Sequence, residues 1–314
     1  RSILPLNYMP VYLFKYKRRA SLNGTESVAF FSRPVYLQNA PSNQLIDRVV
    51  DPLLCCIPNG INSVKYYVSS WPAGRFLAYK AFVLMCPQDL GHSSLSPDQL
   101  EALLEISKII KISSSILIKK CTSNLQKFNL WYNFGESLFS RRVSLKFIFV
   151  TSWYFPDMMG LIAAARLYGI TTVDIQHGKQ GKYQPMYSGW DIPQEGYELM
   201  PDIFWCWGKK SSDHILSSSP NRANHRPIVG GYPWLQYYSR FLKTKQPLSN
   251  SKYHINVLFT LQPCTKENPH PIPDFVVKYL SSPTANAFFV FRFHPNNNSA
   301  EYCEDRLSSC INSM

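Results

Sequence analysis

Ile170-Thr171-Thr172-Val173-Asp174-Ile175-Gln176-His177-Gly178 is the stretch on which the fold turns. β-Branched and apolar residues run up to Ile175, and the polarity then changes within one step to Gln176-His177-Gly178-Lys179-Gln180-Gly181-Lys182. Such a run fits a strand buried inside a parallel sheet, ending in a basic loop punctuated by glycine. In open α/β sheets, ligands bind outside the carboxyl ends of the strands. A histidine placed there can act as a base, a hydrogen-bond donor or a phosphate contact.

The residues before this stretch complete a β-α-β unit. Leu145–Val150 reads as a strand, and Pro156–Gly169 as a helix with a small face (Gly160, Ala163, Ala164) suited to close approach to a sheet. Further upstream, Ser27–Ser32 reads as a strand stopped by Arg33-Pro34. Gln44–Leu54 has helical spacing, and Ser63–Val68 alternates like a strand. Ser96-Pro97-Asp98-Gln99 opens a long helix, Ser96 as its cap, expected to run to about Phe128 with a break around Ser113–Ser115. A second helical stretch is expected from Leu130 to Ser140. Strands alternating with helices in this way predict an α/β fold with a parallel sheet.

Downstream, Asp202–Gly208 and Pro227–Val229 read as strands, with helices from Lys209 and Trp234. Thr244–Asn250 is polar and aperiodic, a linker. A new run follows: strand 254–260, helix 272–280, strand 287–293 ending at His294-Pro295, and a helix from Glu301 to Ile311. The expected organisation is a Rossmann-like domain over residues 1–243, a linker at 244–250, and a second, incomplete domain over 251–314.

A net charge of +13 favours anionic partners, whereas 45% hydrophobic and 14% aromatic residues argue for sizeable cores over disorder. The basic clusters are short (Lys15, Lys17, Arg18, Arg19; Lys119, Lys120; Arg141, Arg142; Lys209, Lys210), and no zinc-finger, RNP or basic-zipper pattern occurs. Nucleic acid is therefore not an expected partner. Peripheral contact with an anionic inner-membrane surface is, the basic-aromatic segment Tyr8–Arg19 being one source. Scattered cysteines without CxxC spacing fit reduced thiols and a cytoplasmic location. GxGxxG, Walker A, HExxH, GxSxG and Asp-x-Asp patterns are absent, which counts against dehydrogenase, ATPase, zincin, α/β-hydrolase and metal-held donor chemistries.

Three constellations remain. Gln176-His177-Gly178 with Lys179, Gly181 and Lys182 offers exposed N–H groups and cationic side chains to a phosphate or carboxylate; the bland reading of His177 is a helix cap or carbonyl contact. Arg292-Phe293-His294-Pro295 ends a strand with His294 at its rim; the bland reading is an ordinary strand terminus. Gly230-Gly231-Tyr232-Pro233-Trp234 reads as a turn with aromatic packing, or as backbone open to an anion beside a stacking Trp234. Tyr183, Tyr187, Trp190 and Tyr197 line a long loop, either a sugar-stacking lid or a packed Ω-type loop.

The order of Phe30-Phe31-Ser32-Arg33, Asp47–Pro52, the Gln176-His177-Gly178 loop, Leu199–Gly208, Val229–Trp234 and Arg292–Pro295 resembles bacterial surface-polysaccharide glycosyltransferases of the two-Rossmann-domain GT-B architecture, and more distantly glycerophosphate polymerases. The resemblance implies transfer of a sugar from a nucleotide-activated donor to a glycan or lipid-linked acceptor in capsule or lipopolysaccharide synthesis, across a cleft between two domains, without metal or cofactor. It implies His177 as base and His294 as a donor-phosphate contact, with Arg292, Gly178, Lys179, Gly181, Gly230 and Gly231 as further donor- or phosphate-binding candidates. Gln176 stands where the polymerases carry Trp, and their Thr-Pro after the glycine is missing, which favours sugar transfer over glycerophosphate transfer. The alternatives are a nucleotide-sugar 2-epimerase-like enzyme and a non-catalytic glycan- or nucleotide-binding remnant.

Overall fold

Parallel strands dominate the first part of the chain. The structure, a computed structural model, describes residues 25–39, 45–68, 82–84, 94–189, 191–218, 224–241, 254–261, 272–282, 284 and 286–292. The Tyr8–Arg19 segment, the linker at 244–250, His294-Pro295 and the expected helix at 301–311 lie outside these residues. Contacts divide the chain into two units, Arg1–Phe241 and Leu242–Met314.

In the first unit, β1 (Val28–Ser32), β4 (Ser63–Val68), β5 (Phe82–Leu84), β6 (Phe147–Thr151), β7 (Thr171–Ile175), β8 (Ile203–Cys206) and β9 (Arg226–Val229) form one sheet in the order β5-β4-β1-β6-β7-β8-β9. Every pairing in it is parallel. A short antiparallel pair, β2 (Leu37–Asn39) with β3 (Leu45–Asp47), lies between β1 and β4 in the chain. The sheet is wound outward from β1 to β5, then returns beside β1 at β6 and is wound the other way to β9. The carboxyl ends of β1 and β6 therefore flank the switch point, where connecting segments diverge and leave a crevice. Pro227 sits in β9, an edge strand, where its missing N–H costs least.

Alternation along β1 feeds two cores. Ala29 and Phe31 join Ile148, Val150 and residues of helices α3 (Ser114–Phe139) and α4 (Pro156–Leu167) on one face. Phe30 faces the other way, with Tyr36, Val50, Leu53 and Ile175. On that second face an apolar groove of about 280 Å³ opens among Val28, Phe30, Leu53, Ile57, Phe149 and Trp205.

Three expectations change. Gln44–Leu54 is not one helix: β3 leads to a turn in which the Asp47 side chain accepts from Val49 N–H at 2.9 Å and Val50 N–H at 3.1 Å, and only α1 (Asp51–Leu54) is helical. Local Asp-to-backbone bonds compete with the helical ladder, so the helix starts late. The break after α2 (Pro97–Ile110) falls at Lys111, with φ of 56°, and α3 then runs unbroken through the residues read as two helices. The small face of α4 packs on α3 rather than on the sheet: a Cβ on Gly160 would lie 2.6 Å from the Phe128 carbonyl oxygen.

The second unit holds a parallel pair, β10 (Ile255–Thr260) and β11 (Ala287–Arg292), with a helix, Asp274–Leu280, between them in the chain. Leu261, Ile272 and Val276 form its core with Phe259, Phe289 and Phe291. The first unit is a doubly wound α/β fold with a Rossmann-like sheet order.

Candidate functional site

The site is assembled from loops at the carboxyl edge of the first unit. At the end of β7, Gln176 and His177 turn to different tasks. Gln176 is buried; its Oε1 accepts from Trp207 N–H at 2.6 Å, and its Nε2 donates to the Gly178 carbonyl at 2.9 Å and to Ser211 Oγ at 3.3 Å. It thereby ties the loop to the end of β8 and to the start of α5 (Lys209–Ser218), and leaves His177 facing the switch point.

His177 Nδ1 lies 3.2 Å from the Ile175 carbonyl oxygen. A carbonyl only accepts, so Nδ1 carries the proton and Nε2 presents its lone pair. Nε2 is 3.1 Å from Ser152 Oγ and 3.4 Å from Tyr154 Oη. Burial lowers the His177 pKa to about 4, against the opposing pull of the Ile175 carbonyl, and the positive charges of Arg48 and Arg33 lower it further. The ring is a neutral acceptor at ordinary pH.

Ser152 follows β6 with φ of 61°, a left-handed conformation that a non-glycine residue rarely adopts and that clusters at functional sites. Asp174, buried on β7, accepts from Trp153 N–H at 3.2 Å and from Tyr187 Oη at 2.9 Å, which pins the turn. Burial pushes the Asp174 carboxyl up to about 8, against the hydrogen bonds from Tyr187 and from the Trp153 and Ser152 N–H groups. Tyr36, projected by the single turn Pro34–Tyr36 after β1, bonds Ser152 Oγ at 2.6 Å and lies 5.4 Å from the His177 ring between centroids. Tyr36, Ser152 and His177 thus form one hydrogen-bonded chain across β1, β6 and β7.

Arg33 directly follows β1 at the same edge. Its guanidinium pairs with Asp157, at the start of α4, and stacks 4.0 Å from the Phe155 ring centroid; Lys127 Nζ lies 3.4 Å from the same carboxylate. At the far end of the edge, Trp207 and Tyr232 stack with centroids 4.0 Å apart.

The residues expected from the sequence are distributed unevenly. His177, Gly178, Lys179 and Gly181 share the loop after β7; Lys179 is exposed, and a Cβ on Gly178 would meet nothing within 4 Å. Gly181 turns its carbonyl inward, accepting from Gln184 N–H at 2.9 Å and Ser188 Oγ at 3.0 Å. Gly230 and Gly231 lie at the end of β9 on the same edge. A Cβ on Gly230 would sit 2.1 Å from the Trp205 indole, so that position needs glycine for packing, and Gly231 accepts from Trp205 Nε1 at 3.1 Å. Arg292 is an exposed residue ending β11 in the second unit, and His294 lies outside the described residues. Of the loop aromatics, Tyr187 is buried against Asp174, Tyr183 is 86% exposed, and Trp190 is not among the described residues.

Sequence reading missed Ser152, Tyr154, Tyr36 and Arg48. Ser152-Trp153-Tyr154 does follow a strand and precede a helix-opening proline, so the strand-end rule applied to 145–150 reaches it. Nothing local marks Tyr36 or Arg48. Among the described residues no group of three or more His, Cys, Asp or Glu comes together as a metal site.

No family model and no curated protein matches the chain. Among solved structures it is similar to the UDP-GlcNAc 2-epimerase of Neisseria meningitidis bound to UDP-GlcNAc, at 15% identity over 90% of this chain and 70% of that one, with a TM-score of 0.41. It is also similar to S. aureus MnaA in complex with UDP, at 14% identity over 91% and 67% of the two chains, with a TM-score of 0.41. The Rossmann-like character of the first unit rests on its own sheet order.

Proposed function

We propose that the chain transfers a sugar from a nucleotide-activated donor to a hydroxyl of a glycan or lipid-linked acceptor, with His177 as the general base. The observation that carries this reading is the His177 ring: proton fixed on Nδ1, lone pair on Nε2, held among hydroxyls at the switch point. An acceptor hydroxyl taking the place of Tyr154 Oη would sit within reach of Nε2. Its oxygen forms the new bond to the anomeric carbon while its proton passes to Nε2. The bond from that carbon to the donor phosphate oxygen breaks, and the nucleotide leaves with the electron pair. Arg292, His294, Gly230 and Gly231 remain the proposed donor-side contacts. Surface-polysaccharide synthesis at the cytoplasmic face of a membrane is the proposed setting.

The second reading is a nucleotide-sugar 2-epimerase-like enzyme, which removes a proton from carbon. The carboxyls near this edge suit that poorly: Asp157 is paired with Arg33 and Lys127, and Asp174 is sealed below the turn.

A thermal-shift screen against CMP-, CDP-, UDP- and GDP-sugars identifies the donor by a raised midpoint. With that donor and an acceptor, His177→Ala is expected to lower transfer by about 10²–10⁴-fold, the range general bases contribute, and to keep the donor-induced shift. Unchanged transfer would remove His177 from the mechanism. Inversion at C2 without an acceptor would favour the epimerase reading, and donor binding without turnover the remnant.

A further inference from the structure

The Tyr36 hydroxyl lies 2.6 Å from Ser152 Oγ, and Ser152 Oγ lies 3.1 Å from His177 Nε2. Distances alone leave the direction of this chain open, because a hydroxyl both donates and accepts. The His177 ring settles it. With the proton on Nδ1, facing the Ile175 carbonyl, Nε2 offers one lone pair and no donor. The Ser152 hydroxyl, closer than Tyr154 Oη at 3.4 Å, therefore donates to Nε2. With its proton engaged there, Ser152 Oγ accepts from Tyr36. Ser152 keeps its left-handed backbone, φ of 61°, because Asp174 accepts from the Trp153 and Ser152 N–H groups. Strain of this kind persists only where the surrounding structure enforces it. Here it accompanies the contact between Oγ and Nε2. Ser152 is 1% exposed and Tyr36 7%, so neither side chain is open to a ligand, and any part they play in a reaction passes through His177.

We infer that Ser152 and Tyr36 are positioning residues that give His177 a reversible hydrogen-bond chain, running from Tyr36 through Ser152 to Nε2 while the ring is neutral and turning round when Nε2 takes a proton. As that proton arrives, the Ser152 hydroxyl rotates to donate to Tyr36 Oη, the Tyr36 hydroxyl turns away from Ser152, and the new Nε2–H donates to Ser152 Oγ. Only hydrogens move. Both N–H groups of the imidazolium are then bonded, Nδ1 to the Ile175 carbonyl and Nε2 to Ser152. A hydrogen bond from a charged donor is about twice as strong as a neutral one, so the turned chain favours the protonated ring. Among the described residues the ring's polar contacts are two hydroxyls and a carbonyl, with no carboxylate. The ionisable groups around it are Arg33 after β1, Arg48 after β3, Tyr36, Tyr154 and Tyr187, with Asp174 bonded to Tyr187 and to the turn. The hydroxyl pair thus does for this ring what a carboxylate partner does for other histidine bases. The inference rests on the proposed function only in taking His177 as the base.

The test is side-chain nitrogen NMR of the histidine-labelled full chain at neutral pH, with the His177 signals identified by their loss in His177→Gln. The parent is expected to show the Nδ1–H tautomer, with Nε2 shifted upfield by the hydroxyl that donates to it. Ser152→Gly removes the hydroxyl at a backbone conformation glycine adopts freely, so the fold is kept. It should move Nε2 downfield, toward an unbonded nitrogen, and leave Nδ1 in place. Tyr36→Phe should move Nε2 in the same direction by less. An Nε2 signal unchanged in Ser152→Gly overturns the chain. An Nε2–H tautomer in the parent overturns it together with the lone pair the proposed base needs. With the donor found by thermal shift, Ser152→Gly is expected to lower kcat by about 10–100-fold at unchanged KM, the effect of losing one hydrogen bond to a charged group. In a His177→Ala background it should cost nothing further, because the two residues act as one unit. An equal loss in that background shows Ser152 acting apart from His177 and overturns the inference. Absence of transfer in the parent removes the proposed reaction, and the NMR result then decides the chain by itself.

Discussion

Asp174 and His177, three residues apart, are driven in opposite directions by the same burial. The Asp174 carboxyl rises from 3.8 to about 8, so it keeps its proton in the folded chain where the unfolded chain has lost it. Its stabilising contribution is complete below pH 3.8 and is lost as pH rises through about 8. His177 falls from 6.5 to about 4, so its contribution is complete above 6.5 and is lost as pH falls through about 4. The two slopes oppose each other between those values. Asp174→Asn keeps the shape and still accepts from Trp153 N–H, but it cannot ionise. Its urea midpoint should gain on that of the parent as pH rises from 3.8 to about 8, and a constant gap would show that Asp174 carries no proton there. His177 was legible in the sequence because the change of polarity at Ile175 marks a strand end. Arg48 was not, and Ser152 is reached only by carrying the strand-end rule two residues past Val150. A left-handed serine carries no signature of its own, and the surroundings of Arg48 are defined only by neighbours the fold supplies.

Small residues set the distance between α3 and α4. A Cβ on Gly160 would lie 2.6 Å from the Phe128 carbonyl oxygen and 2.8 Å from Tyr132 N, and one on Gly135 would lie 2.8 Å from Ala164 Cβ. The Gly160 neighbours are helix backbone, which cannot swing aside as a side chain can. Gly160→Ala should therefore destabilise the first unit by about 1–3 kcal/mol or more, the cost of overpacking, despite alanine's better helix propensity. Gly169→Ala is a useful contrast, because Gly169 has φ of 65° with open space around it, so its cost is conformational alone. If Gly160→Ala left the denaturation midpoint unchanged, the two helices would not be in this close contact. The identity of Gly160, Ala163 and Ala164 as a packing face was readable from their spacing. Its partner was not, because a small stripe fits a helix as well as a sheet. Strands such as Ser63–Val68 were found because buried apolar runs are short and bounded, whereas 44–54 misled: Asp47 redirects the backbone inside an apolar pattern.

At the scale of the whole molecule, charge and exposed apolar surface coincide at one corner. Between Ile106 and Lys120 there is no carboxylate, and Lys108, Lys111, Lys119 and Lys120 alternate with exposed Ile106, Ile109, Ile110, Ile112 and Ile116. Ile109 is 79% exposed. No helix among the described residues is long and apolar enough to cross a membrane. Lysines interleaved with large apolar side chains are instead the pattern that settles into a headgroup layer, each basic residue near an anionic surface being worth about 1 kcal/mol. This corner is the proposed seat of the peripheral membrane contact, with anionic lipid as its occupant. In vesicle co-sedimentation, the chain should pellet with phosphatidylglycerol-containing vesicles and not with pure phosphatidylcholine, and added salt should weaken the binding. Replacing Ile109 and Ile112 with Asp removes apolar insertion and two units of charge complementarity at exposed positions, where folding should be indifferent. The doubly substituted chain is expected to stay in the supernatant with its thermal midpoint intact. Retained sedimentation would move the contact elsewhere, and loss of binding without salt dependence in the parent would point to apolar insertion alone.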